Sequence, residues 1–271
     1  MGEHSGWQLS GNAPEAYERY IIPALFGEWA QDLVETAALR GGERVLDLAC
    51  GTGVVARYAA SVVGRTGQVV GVDVNEGMLS MARTVPPPPG TAMTWQQGDA
   101  AALPLPTAAF DVVLCQQGLQ YFPQRAAALQ EIARVLVPGG RLALSVWRPL
   151  ERQPFFVALV AALEAHLNAE VAAPLRMAFT LGDAEELRGL VTAAGFQAPH
   201  IRLVVKQMRY SSLAEYLPGY VAATPMAGAI AAMEDTRRTE LFEGLQTALR
   251  PYVDDTGLAV PMECHVLVAR T

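Results

Sequence analysis

Short apolar runs alternate with amphipathic segments along the first half of the chain. Five runs are rich in β-branched and apolar residues and are bounded by Gly, Pro or Asp, which predicts buried strands. They are RVLDLA (44–49), QVVGVD (68–73), AMTWQQ (92–97), FDVVLC (110–115) and RLALSVW (141–147). Apolar residues about 3.6 positions apart predict the intervening helices VVARYAASVV (54–63), NEGMLSMARTV (75–85) and RAAALQEIARVL (125–136). Pro138, Gly139 and Gly140 predict a turn before the fifth strand. This alternation favours a mostly parallel sheet with helices on both faces.

After Trp147 the pattern changes to longer helices and two final strands. PFFVALVAALEAHL (154–167) and DAEELRGLVTAAGF (183–196) are amphipathic helices, the second with Asp183 as N-cap and Gly195 at its end. HIRLVVKQMRY (200–210) and MECHVLVART (262–271) have the pattern of strands. We therefore predict an N-terminal helical lid at 1–39 and one domain at 40–271, with a helical insertion at about 211–250.

The composition narrows the class of protein. The 271 residues are 51% hydrophobic and 17% charged, with a net charge of −7, and Lys206 is the one lysine. No basic stripe is present, so we expect no nucleic-acid partner. The chain has no basic, apolar leader and no run of about 20 apolar residues. Three scattered cysteines without a CxxC pair favour reduced thiols rather than a zinc site or disulfides. We expect a cytoplasmic protein without a membrane span or a metal.

The glycine-rich loop after the first strand is the main chemical signal. Gly51 to Ala56 fits the pattern G-x-G-x-x-A of dinucleotide-binding loops, and Asp73 follows Gly53 by 20 residues, as a ribose ligand does. However, Asp47 precedes the loop, and a carboxylate there suits an ammonium group better than a pyrophosphate. Asp99 follows the third strand, where it is placed to accept from an adenine amino group. These acids favour S-adenosylmethionine, with a nicotinamide dinucleotide as the alternative.

The order of these segments resembles that of the class I S-adenosylmethionine-dependent methyltransferases, in the subgroup of the quinone-biosynthesis C-methyltransferases. VLDLACGTG, VVGVDVNEGMLSMAR, GDAAALPLPTAAFDVVLCQQGLQYF and EIARVLVPGGRL carry the resemblance, which covers about residues 40–148. It implies a Rossmann-like sheet of seven strands with the last one antiparallel. Ala49 stands where the family has a glycine, which we expect to be tolerated with a negative φ.

The resemblance also implies which residues hold S-adenosylmethionine and its product S-adenosylhomocysteine. Asp73 is the expected ribose ligand, and Gln116 is expected near the methionine moiety. In similar enzymes a tyrosine of the N-terminal segment covers the cofactor, and we expect Tyr20 to do so. The full predicted set is Tyr20, Asp47, Ala49, Gly51, Gly53, Asp73, Val74, Met78, Asp99, Ala100 and Gln116.

The acceptor site is less defined by the sequence. Methyl transfer is an in-line displacement that alignment alone accelerates, so a general base is optional. His166 and Tyr121 are candidate catalytic residues, and Tyr121, Trp147 and Arg148 are candidate pocket residues because they follow the fourth and fifth strands. Apolar side chains of the lid segments, namely Phe26, Trp29, Met226, Ile230 and Met233, favour a small apolar or aromatic acceptor. A methyltransferase is the leading hypothesis. The alternatives are an NAD-dependent oxidoreductase and a non-catalytic S-adenosylmethionine-binding protein.

Overall fold

The computed structural model describes residues 11–271 and contains one mixed sheet flanked by helices. The strands are β1 (Arg44–Leu48), β2 (Gln68–Asp73), β3 (Ala92–Gln97), β4 (Phe110–Gln116), β5 (Leu136–Trp147), β6 (Gln197–Tyr210), β7 (Val253–Asp254) and β8 (Gly257–Arg270). The helices are α1 (Ala13–Ala16), a π-helix (Tyr17–Phe26), α2 (Gly27–Thr36), α3 (Val54–Val63), α4 (Glu76–Thr84), α5 (Arg125–Val135), α6 (Pro154–His166), α7 (Ala169–Met177), α8 (Ala184–Ala193), α9 (Leu213–Ala222), α10 (Ala227–Ala231) and α11 (Asp235–Leu249). Short 3₁₀ turns lie at Gly64–Thr66, Leu119–Tyr121, Leu150–Arg152 and Arg250–Tyr252.

The strand order β3-β2-β1-β4-β5-β8-β6 confirms the predicted mostly parallel, Rossmann-like sheet with an antiparallel final strand. β1 lies between β2 and β4, so the chain changes direction across the sheet at this point. In open sheets of this kind, ligands bind beyond the carboxyl ends of the strands at such a reversal. One core cluster packs the N-terminal helices, α3, α6, α9 and α11 on one face, and another packs α5 and α8 on the other.

Two details of the predicted sheet are wrong. The sheet has eight strands rather than seven, because Asp254 accepts from the Thr256 N–H (2.8 Å) and stabilises a tight turn that adds the two-residue β7. β5 begins at Leu136 rather than at Arg141. An irregularity of the β4–β5 register lets the Pro138 to Gly140 segment remain in the strand, with Gly139 at a φ of 76°.

The N-terminal segment departs from regular α-helix over ten residues. Tyr17–Phe26 forms a π-helix that contains Pro23, and the Gly27 N–H donates to the Ile22 carbonyl. Proline lacks an N–H and crowds the carbonyl four residues earlier, which disfavours α-helical hydrogen bonding here. Farther along, the Asp32 carboxylate pairs with Arg202 and Lys206 of β6 and so fixes α2 on the sheet. Residues 1–10 of the predicted lid lie outside the described residues, and the domain limits stay a prediction.

The two remaining expectations concern helix ends and membranes. Asp183 accepts from the Glu185 and Glu186 N–H groups, which confirms it as the N-cap of α8. Within residues 11–271, none of the helices combines the length and the apolar character that crossing a membrane requires.

Trp95 of β3 determines where glycine is required near the loop. A Cβ on Gly71 would lie 2.4 Å from the Trp95 ring, and one on Gly53 would lie 2.2 Å from it. Gly53 also has a φ of 86°. Both glycines therefore make room for the indole between β2, β3 and the start of α3.

We predict that Gly71→Ala lowers the free energy of unfolding by about 2 kcal/mol, because the added methyl must displace a packed ring. Urea unfolding followed by circular dichroism measures this change. Gly189→Ala is the matched control. Gly189 is an exposed position of α8 where a Cβ meets nothing within 4 Å, and alanine has a higher helix propensity than glycine. In a Trp95→Leu background the cost of Gly71→Ala should shrink, and an unchanged cost would contradict the steric explanation.

Candidate active site

A cavity of about 510 Å³ opens at the carboxyl ends of β1, β2 and β4, beneath the π-helix. One end is polar and is formed by the loop after β1, the end of β2 and the segment after β3. The other end is apolar and is formed by the π-helix, β5, α6, α7 and α9. The described residues place both ends in one continuous cavity at the reversal of strand order.

The loop after β1 has an unusual backbone at three positions. Ala49, Gly51 and Gly53 have φ values of 57°, 53° and 86°. The expectation of a negative φ at Ala49 is therefore wrong. The residue after Ala49 stays bonded to β2, because the Cys50 N–H donates to the Val72 carbonyl (3.0 Å). An L-residue with a side chain pays about 1–2 kcal/mol for a left-handed conformation.

Asp73 holds this loop from the end of β2. Its Oδ2 accepts from the Gly51 N–H (2.8 Å), and its Oδ1 accepts from the Asn75 N–H (2.9 Å). Burial raises the pKa of Asp73, whereas these two backbone hydrogen bonds oppose the shift. A carboxylate can accept about four hydrogen bonds, so this side chain has capacity left for a hydroxyl in the cavity.

Asp47 lies at the end of β1 and is 1% exposed. Its Oδ2 accepts from the Ala56 N–H at the start of α3 (2.9 Å), whereas its Oδ1 has no hydrogen-bond partner among the described residues. Burial raises the pKa of this carboxyl group to about 8. An unpaired buried carboxylate is costly, so the group favours either a proton or a cationic ligand.

Two neutral oxygens of the cavity wall are also buried without a hydrogen-bond partner among the described residues. They are Thr52 Oγ1 and Gln116 Oε1. Gln116 Nε2 donates to the Phe26 carbonyl (3.3 Å), so the same side chain contacts the end of the π-helix. A ligand that supplies donors at this point would satisfy all three oxygens.

The charged side chains of the described lining are all acidic, namely Asp47, Asp73 and Asp99. Asp99 is exposed, and its Oδ1 accepts from the Ala101 N–H (2.9 Å). Since the described lining includes no Lys, Arg or His, its electrostatic potential favours cations over phosphates.

The apolar end is built from aromatic side chains. Tyr17 stacks on Phe26 with ring centroids 5.7 Å apart, and Trp147 lies 6.1 Å from Phe26. Phe156 and Tyr220 complete this end together with Tyr121, Leu175 and Ala178. Burial raises the pKa values of Tyr17, Tyr121 and Tyr220, so these phenols stay protonated at neutral pH.

Arg57 links the loop to the π-helix. Its guanidinium donates to the Thr52 carbonyl (2.6 Å) and to Glu18 Oε1 (2.7 Å), and both side chains of this ion pair are largely buried. The other oxygen of the Glu18 carboxylate is buried without a described partner. The π-helix, which forms the roof of the cavity, and the loop after β1, which forms its floor, are therefore both bound to the Arg57 guanidinium.

Most residues that the sequence assigned to the cofactor and acceptor sites line the cavity, and four of them do not. Those in the lining are Asp47, Ala49, Gly51, Asp73, Val74, Met78, Asp99, Ala100, Gln116, Tyr121 and Trp147. Gly53 accommodates Trp95, and Tyr20 packs against Gly219 of α9. Arg148 pairs with Glu263, and His166 ends α6, where its carbonyl accepts from Arg237. These four residues lie outside the described lining, and their roles in binding stay predictions. Of the apolar lid residues, Phe26 lines the cavity, whereas the others belong to the neighbouring core cluster or pack against it, namely Trp29, Met226, Ile230 and Met233.

Sequence reasoning missed several lining residues. Tyr17, rather than Tyr20, faces the cavity because hydrogen bonds from i to i+5 in the π-helix change which residues share a face. Pro23 was the available signal, since it lies in the middle of an otherwise helical pattern. Phe156, Leu175 and Tyr220 come from distant helices, and no local pattern distinguishes them from ordinary core residues.

Comparison with known proteins points to one kind of enzyme. A family model described as a methyltransferase domain matches residues 46–144. The ubiquinone/menaquinone biosynthesis C-methyltransferase UbiE of Saccharophagus degradans is 34% identical over 183 residues, which cover 62% of this chain and 72% of that protein. The UbiE protein of Chromobacterium violaceum is 39% identical over 132 residues, which cover 47% of this chain and 53% of that protein. The chain thus spans about half the length of the first curated relatives it matches.

A solved structure supports the fold. Phosphoethanolamine N-methyltransferase 2 of Haemonchus contortus, in complex with phosphomonomethylethanolamine and S-adenosylhomocysteine, superposes with a TM-score of 0.60. Its sequence is 18% identical, and the match covers 95% of this chain and 56% of that one. At this identity the likeness extends to the arrangement of strands and helices.

We predict that Ala49→Gly raises the free energy of unfolding by about 1 kcal/mol, because glycine adopts a positive φ without steric cost. Urea unfolding measures the gain. Ala56→Gly serves as the opposite control, since Ala56 is helical and fully buried and should lose stability on the same substitution. A loss of stability in Ala49→Gly would show that the loop backbone differs from the one described.

We also predict that Asp47 makes folding stability depend on pH. The folded protein holds a proton on Asp47 up to about pH 8, whereas an unfolded aspartate releases it near pH 4. Stability therefore falls as the pH rises between these values, by at most about 1.4 kcal/mol per unit from this group. Urea unfolding at pH 5, 6.5 and 8 should show Asp47→Asn gaining stability relative to wild type as the pH rises. Parallel pH profiles would refute the assignment.

Proposed function

Because this chain belongs to the class I S-adenosylmethionine-dependent methyltransferases, we propose that it transfers a methyl group from S-adenosylmethionine to a small apolar or aromatic acceptor. The observation that carries this proposal is the charge of the cavity, whose described charged groups are three aspartates. A dinucleotide brings a pyrophosphate, which the carboxylates of Asp73 and Asp99 disfavour and for which the described lining offers no cation. S-adenosylmethionine instead brings a sulfonium and an ammonium, and its adenosine offers several hydrogen-bond donors.

The polar end fits the methionine part of this cofactor. Asp47 Oδ1 and Gln116 Oε1 are acceptors without a donor among residues 11–271, and an α-ammonium group would supply one. Thr52 Oγ1 is able to donate to the α-carboxylate. Asp47 would lose its proton when the ammonium group binds, because a cation beside a carboxylate lowers the pKa of that carboxylate.

The adenosine part is assigned to the neighbouring strands. Asp73 would accept from the ribose hydroxyls while it continues to hold Gly51. Asp99 would accept from the adenine amino group, with Val74, Met78 and Ala100 packed around the ring. The Cε of Met78 lies 3.3 Å from the position of a Cβ on Gly51, so a larger residue in the loop would displace this wall.

The apolar end is assigned to the acceptor. When bound, S-adenosylmethionine supplies the methyl group and the neutral thioether that leaves it. Tyr17, Tyr121, Phe156, Trp147 and Tyr220 would hold an apolar acceptor against that group, exclude water and align the displacement. Their phenols are protonated at neutral pH, so they act as hydrogen-bond donors and not as bases. These aromatic side chains therefore do not remove a proton, and the proposal takes the acceptor to be nucleophilic in itself or to bind already deprotonated.

The proposed function also implies a small-molecule partner and a location in the cytoplasm. A small-molecule acceptor suits a cavity of about 510 Å³ that also holds the cofactor. The cysteines of the described chain, Cys50, Cys115 and Cys264, are all free and buried, which favours a reducing compartment such as the cytoplasm. We propose no nucleic-acid partner, on the basis of the acidic composition.

Calorimetric titration with S-adenosylhomocysteine, with NADH as comparison ligand, tests the cofactor. We predict micromolar binding of the first and none of the second. Asp73→Ala should weaken binding at least about tenfold, since hydrogen bonds to a charged group are worth about 1.5–3 kcal/mol each. Asp235→Ala removes an exposed carboxylate on α11 and should bind as wild type does.

Asp73→Asn separates the two roles of Asp73, because its amide oxygen can still hold the Gly51 N–H. We expect its affinity to lie between those of wild type and Asp73→Ala. Binding of NADH in place of S-adenosylhomocysteine would overturn the proposal in favour of a dehydrogenase. Binding of S-adenosylhomocysteine without turnover of any compound in an acceptor panel would favour the non-catalytic alternative.

A further inference from the structure

A second cavity of about 350 Å³ adjoins the first one. It is lined by Gln120, Tyr121, Phe122, Pro123, Arg125, Met177 and Thr180, and the two cavities share Tyr121, Phe122 and Pro123. The 3₁₀ turn Leu119–Tyr121 and the segment after it therefore form a wall that the aromatic end of the main cavity shares with this neighbouring space. A ligand that lies along this shared wall would contact both cavities.

Gln120 provides an unsatisfied acceptor in the second cavity. The side chain is 2% exposed, and its Nε2 donates to Gln117 Oε1 (2.9 Å). Its Oε1 is buried and has no partner among the described residues. A buried carbonyl without a donor costs about 1–3 kcal/mol, so a ligand with an O–H or N–H group would be stabilised here.

Arg125 provides a cation that neutral groups hold on one side and a half-exposed carboxylate contacts on the other. Its Nη2 donates to the Gln120 carbonyl (3.1 Å) and to Thr180 Oγ1 (3.0 Å). Its Nη1 forms a longer ion pair with Glu186 (3.6 Å), whose side chain is about half exposed, so solvent weakens this pair. Arg125 also begins α5, whose first turn has neither a capping side chain nor an acidic residue, so the helix dipole adds to its positive potential.

The two cavities thus have opposite electrostatic character. Aspartates surround the polar end of the main cavity, whereas a guanidinium and a helix N-terminus face the second one. An acidic group is repelled from the first and attracted to the second, while the aromatic end between them accepts an apolar ring. Charge alone would orient a molecule that carries both features.

We propose that the second cavity binds a carboxylate of the methyl acceptor, with Arg125 as its partner and Gln120 Oε1 as the acceptor for a neighbouring hydroxyl. This inference rests on the proposed function, since it places the apolar part of the same molecule in the aromatic end of the main cavity. The acceptor class is then an aromatic or apolar carboxylic acid, and Arg125 is a residue that determines specificity.

Two fluorescent probes of matched shape test this inference in protein saturated with S-adenosylhomocysteine. 2-Naphthoate carries the carboxylate, and 2-naphthalenemethanol has the same ring without the charge. Wild type should bind the naphthoate at least about tenfold more tightly. Arg125→Gln should abolish that preference and change the affinity for the alcohol less than twofold, because a hydrogen bond between a guanidinium and a carboxylate is about twice as strong as one between neutral groups.

Two further variants separate a binding role from a structural one. Glu186→Gln removes the competing carboxylate and should strengthen naphthoate binding two- to threefold. Arg125→Lys keeps the charge and should restore part of the preference if Arg125→Gln folds poorly. Arg83→Gln is the control, because it removes an exposed arginine of α4 that pairs with Glu76 on the same helix, and it should behave as wild type.

The outcomes distinguish this inference from the proposed function. Equal weakening of both probes by Arg125→Gln, or no preference of wild type for the carboxylate, overturns the inference and leaves cofactor binding intact. Failure of wild type to bind S-adenosylhomocysteine overturns the proposed function, and the inference falls with it.

Discussion

The two hydrogen bonds of the Asp73 carboxylate are the constraint on which the site depends. They join the end of β2 to Gly51 in the loop after β1 and to Asn75 before α4. The loop passes through left-handed conformations at Ala49, Gly51 and Gly53, and such a backbone persists only where its surroundings hold it. Asp73 supplies that support from the strand next to β1. The cofactor end of the cavity is therefore a property of two neighbouring strands and not of the loop alone.

The two ends of the cavity differ in polarity and would therefore bind different parts of the ligands. At one end, buried oxygens of Asp47, Thr52 and Gln116 lack partners among the described residues, and a ligand with several donors relieves their desolvation. At the other end, stacked aromatic rings exclude water. Gln116 belongs to both regions, because its amide nitrogen bonds the Phe26 carbonyl while its oxygen faces the polar end. This residue at the end of β4 marks the boundary at which a transferred group would pass between ligands.

Local sequence determined much of the fold and part of the site. The β-branched and apolar runs predicted β1 to β4 to within a residue or two, since the buried parallel strands β1, β2 and β4 need continuous apolar stretches. The acids and glycines after these strands predicted one end of the cavity, because parallel strands bring their carboxyl ends together. Sequence and structure differ at positions where contacts between residues distant along the chain determine the local arrangement. The register irregularity that extends β5, the π-helix that selects Tyr17 over Tyr20, and the ion pair of Arg148 with Glu263 all depend on distant contacts. The backbone of Ala49 was mispredicted because residue identity was taken to limit φ, whereas the loop has a positive φ there.

Arg57 bonds the loop carbonyl of Thr52 and the roof carboxylate of Glu18 at once. If the π-helix moved away from the cavity, Arg57 would lose its contact with Glu18. Only the hydrogen bond to the Thr52 carbonyl would then hold this guanidinium at the loop. The conformation of the loop at the polar end of the cavity is thus coupled, through one guanidinium, to the position of the helix above it.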